Sequence, residues 1–97
     1  MPWARVDKNQ SRVVKALRDA GCSIQLLHSV GEGCPDLFVG YRGISVPLEV
    51  KNGKRGRFTP AQKLWMQEWN GSFLVARDED TAVHLVQGYV DSLLGLV

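Results

Sequence analysis

Apolar residues along the chain fall into short stretches whose spacing changes from one stretch to the next. Over residues 8–20, Val13, Val14, Leu17 and Ala20 recur at helical intervals while Arg12, Lys15, Arg18 and Asp19 face away. That pattern predicts an amphipathic helix, with Asp7 as N-cap, Gly21 as the residue that ends it, and residues 1–6 as a short leading arm. Gln10 precedes Val13 and Val14 by three and four residues, so it falls on the inward face and needs a partner there. Residues 22–28 read as a first strand, followed by the glycine-containing loop Ser29-Val30-Gly31-Glu32-Gly33. Leu37-Phe38-Val39 then leads into a turn at Arg42-Gly43, and Ile44, Val46, Leu48 and Val50 alternate on the way out, which predicts a hairpin. Pro47 has no N–H, so this strand is expected to lie at an edge or to carry a bulge at that point.

Thr59-Pro60-Ala61-Gln62 is a capping box with proline at the first helical position. It opens a helix to about Trp69 whose packed face is Ala61, Leu64, Trp65 and Trp69, with Gly71 ending it. Residues 72–76 form a fourth strand, nearly all apolar at Phe73-Leu74-Val75 and therefore expected at the centre of the sheet. After Arg77-Asp78-Glu79-Asp80-Thr81, a last helix carries the stripe Val83, Val86, Val90 and Leu93. Leu85, Tyr89, Leu94, Leu96 and Val97 add more apolar surface than one face of a monomer needs, which points to a subunit interface. The expected order is α-β-β-β-α-β-α, one α/β domain over residues 1–97 with a mixed central sheet flanked by helices.

Composition narrows the class. With 97 residues, 44% hydrophobic and 23% charged, the chain is an ordinary globular sequence near the low end of domain size. It has no run of the ~20 apolar residues that cross a membrane and no signal-peptide core at its start, so a cytoplasmic protein without membrane association is expected. Cys22 and Cys34 read as buried or half-buried thiols rather than a disulfide framework, and no Cys/His spacing suits zinc. A net charge of only +2 does not make the whole surface a nucleic-acid sponge. The basic residues nevertheless cluster: Lys51, Lys54, Arg55 and Arg57 fall within seven residues, with Lys63 just beyond. Such a loop is either a solvated turn or a set of phosphate contacts, and its departure from Lys51 favours phosphate.

The hairpin register carries the chemistry. Counting outward from Arg42-Gly43, Tyr41 faces Ile44, Gly40 faces Ser45, Phe38 faces Pro47, and Asp36 lands opposite Glu49. Residues paired in this way have Cβ atoms roughly 4.5–5.5 Å apart. Alternation puts Lys51 on the same face as Glu49, so Asp36, Glu49 and Lys51 converge at the far end of the hairpin. Two oxygen donors so placed suit Mg²⁺ or Mn²⁺, and a neighbouring ammonium could stabilise developing phosphorane charge or help deprotonate a water. Ordinary solvent-facing charges are the plainer account, but a one-residue slip would destroy the convergence.

Pro35-Asp36, twelve residues, then Glu49-Val50-Lys51 resembles the PD-(D/E)xK signature of the restriction-endonuclease-like nucleases. With Gly33-Cys34-Pro35-Asp36 and Thr59-Pro60-Ala61-Gln62, the chain is similar more narrowly to the small stand-alone VRR-Nuc (virus-type replication-repair nuclease) domains often carried by phages, over about residues 7–86. The resemblance implies a restriction-endonuclease-like core and a Mg²⁺- or Mn²⁺-dependent nuclease acting on DNA, as a homodimer on branched or four-way (Holliday) junctions, in the host cytoplasm if phage-encoded. It implies Asp36, Glu49 and the Val50 carbonyl as metal ligands, Lys51 as the residue that positions or activates water, and Gln62 beside the metal. In the family a glutamate near position 10 points toward the metal. Here Gln10 stands there, and both a part in the site and a structural hydrogen bond remain open for it. Lys54, Arg55, Arg57 and Lys63 are the expected DNA contacts. The rival from another class is a non-catalytic nucleic-acid-binding or assembly module on the same fold, and a third reading is a hydrolase of small phosphoesters.

Overall fold

The computed structural model describes residues 8–52 and 56–96. Asp7, the expected first cap, lies outside them, as do Lys54, Arg55 and Val97. The elements run α1 (Lys8–Asp19), β1 (Ser23–Leu26), β2 (Leu37–Tyr41), β3 (Ile44–Val50), α2 (Pro60–Glu68), β4 (Leu74–Ala76) and α3 (Glu79–Leu93), which is the expected order. The four strands form one mixed sheet in the order β1-β2-β3-β4: β1, β2 and β3 pair antiparallel, and β4 joins β3 in parallel after the α2 crossover.

A two-residue turn sets the register of the central hairpin. Arg42 and Gly43 both have positive φ, 52° and 82°, the signature of a type I′ turn whose twist matches the strands it joins. Tyr41 pairs with Ile44, Gly40 with Ser45, Phe38 with Pro47 and Leu37 with Leu48, as counted from the sequence. Asp36 and Glu49 are the next positions outward. One set of β3 side chains, with Val46, Leu48 and Val50 buried, enters a core shared with Val13, Val14 and Leu17 of α1 and Ala82, Val86 and Val90 of α3. The alternate set, Ser45, Pro47 and Glu49, faces the side on which α2 lies.

One expectation is met locally and two need correction. Pro47 lies in a strand with neighbours on both sides, but the β3–β4 ladder covers only Leu48 to Val50, so residue 47 is unpaired on the side away from β2 and no bulge is needed. From a two-residue turn, alternation also makes Phe38–Pro47 a pair that needs no hydrogen bond from residue 47. The fourth strand is at the edge rather than the centre. Its apolar sequence is explained by cover from both sides, Ala76 being in the core and Phe73 meeting the Trp65 ring edge-on at 5.8 Å. Three residues is also short for an edge, which limits pairing with other chains. Finally, α2 contributes no fully buried residue: Leu64 is 54% exposed and Trp69 44%. Trp65 and Trp69 instead stack on each other, 4.9 Å between centroids. Two strands are also trimmed, the first from residues 22–28 to Ser23–Leu26 and the fourth from 72–76 to Leu74–Ala76, and in α3 Leu93 is exposed, with Ala82 taking a place in the buried stripe.

These differences predict unequal costs for similar substitutions. Leu48→Ala, at a fully buried position on the central strand, should lower unfolding free energy by about 2–5 kcal/mol. Leu64→Ala on α2 should change it by no more than about 0.5 kcal/mol, and urea titration of the two variants measures both.

Candidate active site

Charged side chains are seldom buried unless something compensates them. Among the described residues, the buried polar or charged side chains are Gln10, Glu49 and Lys51. Glu49 is 5% exposed and Lys51 9%. They follow each other on one face at the end of β3, where alternation and the chain's exit from the sheet bring them under the first turn of α2.

Gln62 joins them. Its Nε2 donates to Glu49 Oε2 at 3.0 Å, and its Oε1 accepts from Lys51 Nζ at 2.6 Å. The same Oε1 accepts the backbone N–H of Thr59 at 2.9 Å, while the Gln62 N–H donates to Thr59 Oγ1 at 3.1 Å. The capping box expected from the sequence is therefore formed, and its glutamine bridges the two buried charges as well. The one amide thus caps the helix and touches both buried charges.

Lys51 is closely held. Its ammonium donates to the Arg57 carbonyl at 2.9 Å and to Gln62, lies 3.4 Å from Glu49 Oε2, and sits 4.9 Å from the centre of the Phe58 ring. An ammonium has three protons, and three oxygens surround this one. The backbone on either side is tied as well. Asn9 Nδ2 donates to the carbonyls of Lys51 and Arg77, at 3.0 and 3.1 Å, and Arg77 Nη1 donates to the Gly56 carbonyl at 2.9 Å.

Asp36 reaches the same strand. Its Oδ2 accepts the Val50 N–H at 3.1 Å, and in a strand the carbonyl of a residue points the same way as its N–H, so Val50 turns that oxygen toward Asp36 as well. Burial, then the charge of Asp36, push the Glu49 carboxyl up to about 7, against the pull of Lys51 and the nearby backbone amide of Asp36. Cys34 adjoins the pair: burial, then Asp36 and Glu49, raise its thiol.

Of the residues expected in the site, Asp36, Glu49, Lys51 and Gln62 meet. Gln10 is buried in the first turn of α1, beside the Asn9 that grips the ends of β3 and β4. Arg57 contributes its carbonyl to Lys51 and has an exposed side chain, as has Lys63 on the outer side of α2. Asn9, Phe58 and Arg77 were not anticipated. No local pattern marks them, because each acts through a contact with chain that is distant or turned back on itself.

The donor set fits a hard divalent cation. Glu49 Oε1 is buried and has no hydrogen-bond partner, and the two carboxylates raise each other's energy when both are ionised. Among the described residues there is no cluster of three or more His, Cys, Asp or Glu side chains able to hold a metal. Asp36, Glu49 and a backbone carbonyl, completed by water, are nonetheless a sufficient set for Mg²⁺. The described residues include no helix long and apolar enough to cross a membrane. No family model matches the chain, and no curated protein or solved structure is significantly similar to it.

The raised Glu49 makes stability depend on pH with a definite sign. Between the ordinary glutamate value of 4.5 and about 7, the folded chain holds a proton that the unfolded chain has released. Stability of the metal-free protein should therefore fall as pH rises through that window. Urea midpoints in chelator from pH 4.5 to 8 should show the decline, and Glu49→Gln should remove it. An equal decline in both proteins would count against Glu49 as its source.

Proposed function

We propose that this chain is a Mg²⁺- or Mn²⁺-dependent DNA endonuclease of the VRR-Nuc group, with a restriction-endonuclease-like core. The observation that carries the reading is the buried Glu49–Lys51 pair, bridged by Gln62 and faced by Asp36, with one Glu49 oxygen lacking a donor. Ordinary surface charges would be solvated, and a purely structural ion pair would not need a second carboxylate pushing Glu49 toward its neutral form.

Asp36, Glu49 and the Val50 carbonyl would hold the ion. When bound it supplies positive charge to the scissile phosphate and acidity to a water. Lys51 donates a proton-bearing N–H to the phosphate or to the attacking water, in place of one of its present acceptors. The Arg57 carbonyl is the acceptor that belongs to a loop, and it is the one exchanged. Gln62 keeps the ammonium from swinging away while this happens, and Phe58 shields it from bulk water.

Arg57 and Lys63, with Lys54 and Arg55, take the flanking phosphates. Contacts of this kind fix position on the backbone without reading bases, which suits selection of branched or four-way DNA by shape. The exposed Leu93, Leu94 and Leu96 at the end of α3 form the apolar surface for a homodimer that presents two sites to two strands. Action on DNA fits a cytoplasmic protein, in the host if phage-encoded.

The neutral Gln10 supports the second reading, a DNA-binding or assembly module that does not cut. One assay separates the two. Single-stranded, duplex, flap and four-way DNA are incubated with Mg²⁺, Mn²⁺ or chelator. The wild-type chain should nick at least one substrate with metal only. Asp36→Ala and Lys51→Ala should each slow cutting by about 10²–10³-fold while still folding and binding DNA. A folded wild-type chain that binds these DNAs and nicks none of them is the module instead.

A further inference from the structure

The loop that delivers Asp36 crosses the first turn of α2 with no side chain between the two backbones. Gly33 has a φ of 78°, and a Cβ built there would overlap the Ala61 carbonyl group and stand 2.7 Å from the Gln62 nitrogen. These are backbone atoms of a capped helical turn and cannot rotate aside. The space enclosed by Gly33, Pro35, Glu49, Phe58, Gln62 and Trp65 is only about 10 Å³. That is at the lower limit for one water, so the side facing Glu49 and Gln62 has no room for a methyl group.

We propose that Gly33 is a positioning residue that sets the depth of α2 against the sheet and thereby aims the Gln62 amide at Glu49 and Lys51. The contact leaves the Gln62 side chain within 3.0 Å of Glu49 Oε2 and 2.6 Å of Lys51 Nζ, and a helix pushed outward would lose both bonds. The same glycine ties together the loop that carries Asp36 and the helix that carries Gln62. Its effect on turnover rests on the nuclease reading; its effect on Gln62 does not.

Gly31 provides the control. It lies in the same loop with a φ of 80°, but a Cβ there meets nothing within 4 Å. Alanine at 31 therefore brings the strain of a left-handed backbone alone, whereas alanine at 33 adds the displacement of α2.

The test uses ¹⁵N spectra of the full chain, with the Gln62 side-chain amide assigned by its loss in Gln62→Ala. Gly33→Ala should move that signal toward the free-amide position, and Gly31→Ala should leave it in place. Where the wild type cuts DNA, Gly33→Ala and Gln62→Ala should each lower kcat by about 10-fold or more with KM changed less than about 3-fold. The double variant should be no slower than the worse single one. An unmoved Gln62 signal in Gly33→Ala, an equal shift in Gly31→Ala, or additive losses in the double variant would overturn the proposal. Should Gly33→Ala not fold, native-state hydrogen exchange of the unaltered chain decides. Cys34 N–H, bonded to the Gly31 carbonyl, and Gln62 N–H should open together with similar protection, and protection differing by about 10-fold or more would sink the idea. The spectra and the exchange need no DNA, so a chain that cuts nothing can lose the nuclease reading and still keep this one.

Discussion

The arrangement at this end of the sheet depends on burying a glutamate and a lysine together. Each charge loses several kcal/mol of hydration on entering the protein, and their mutual attraction compensates only when the remaining donors and acceptors are satisfied. Lys51 meets that condition, with the Arg57 carbonyl, Gln62 Oε1 and Glu49 around it. Glu49 does not, since Oε1 has no donor and Asp36 adds a second negative charge. The pocket is thus satisfied on its cationic side and left in deficit on its anionic side. The small divalent cation of the proposed function would correct such an imbalance without displacing what already holds the lysine.

The meeting of Asp36, Glu49 and Lys51 was legible in the sequence because it lies on a hairpin. A type I′ turn fixes the pairing from one end, and each pair outward follows from the one before. Asp36, Glu49 and Lys51 could therefore be assigned to one face from the turn alone, and Pro47 does not disturb the count because β4 starts beyond it. The capping box was legible for a similar reason, since both its partners lie within one helical turn. Local rules reached as far as local contacts do. The Asn9 clamp, the Arg77 bond to Gly56 and the Phe58 ring beneath the ammonium join segments far apart in sequence or folded back on the loop.

The misread helix shows where periodicity stops being informative. Ala61, Leu64, Trp65 and Trp69 have the spacing of a buried face, but α1 and α3 already fill the opposite side of the sheet with a core of their own. A domain of this size has little apolar sequence left for a second core layer. α2 is instead held by polar bonds at its N-terminus, the edge-on contact of Trp65 with Phe73 and the bare contact with Gly33. A helix attached in this way transmits the position of its first turn to whatever that turn touches, which here is the candidate site.

Why the third helical position is glutamine follows from the same bonds. Glutamate caps a helix at least as well there and gains from the helix dipole. It would also set a third carboxylate against Glu49 and Asp36, and it has no N–H to give Glu49 Oε2. Lysine or arginine would meet Lys51 with like charge and could not accept from Thr59. Only a side chain with an acceptor at one atom and a donor at the next can take the Thr59 N–H and the Lys51 ammonium on one side and the Glu49 carboxylate on the other. Local helix preference leaves glutamate and glutamine nearly equal at this position, so the choice between them is made by the two charges beneath it.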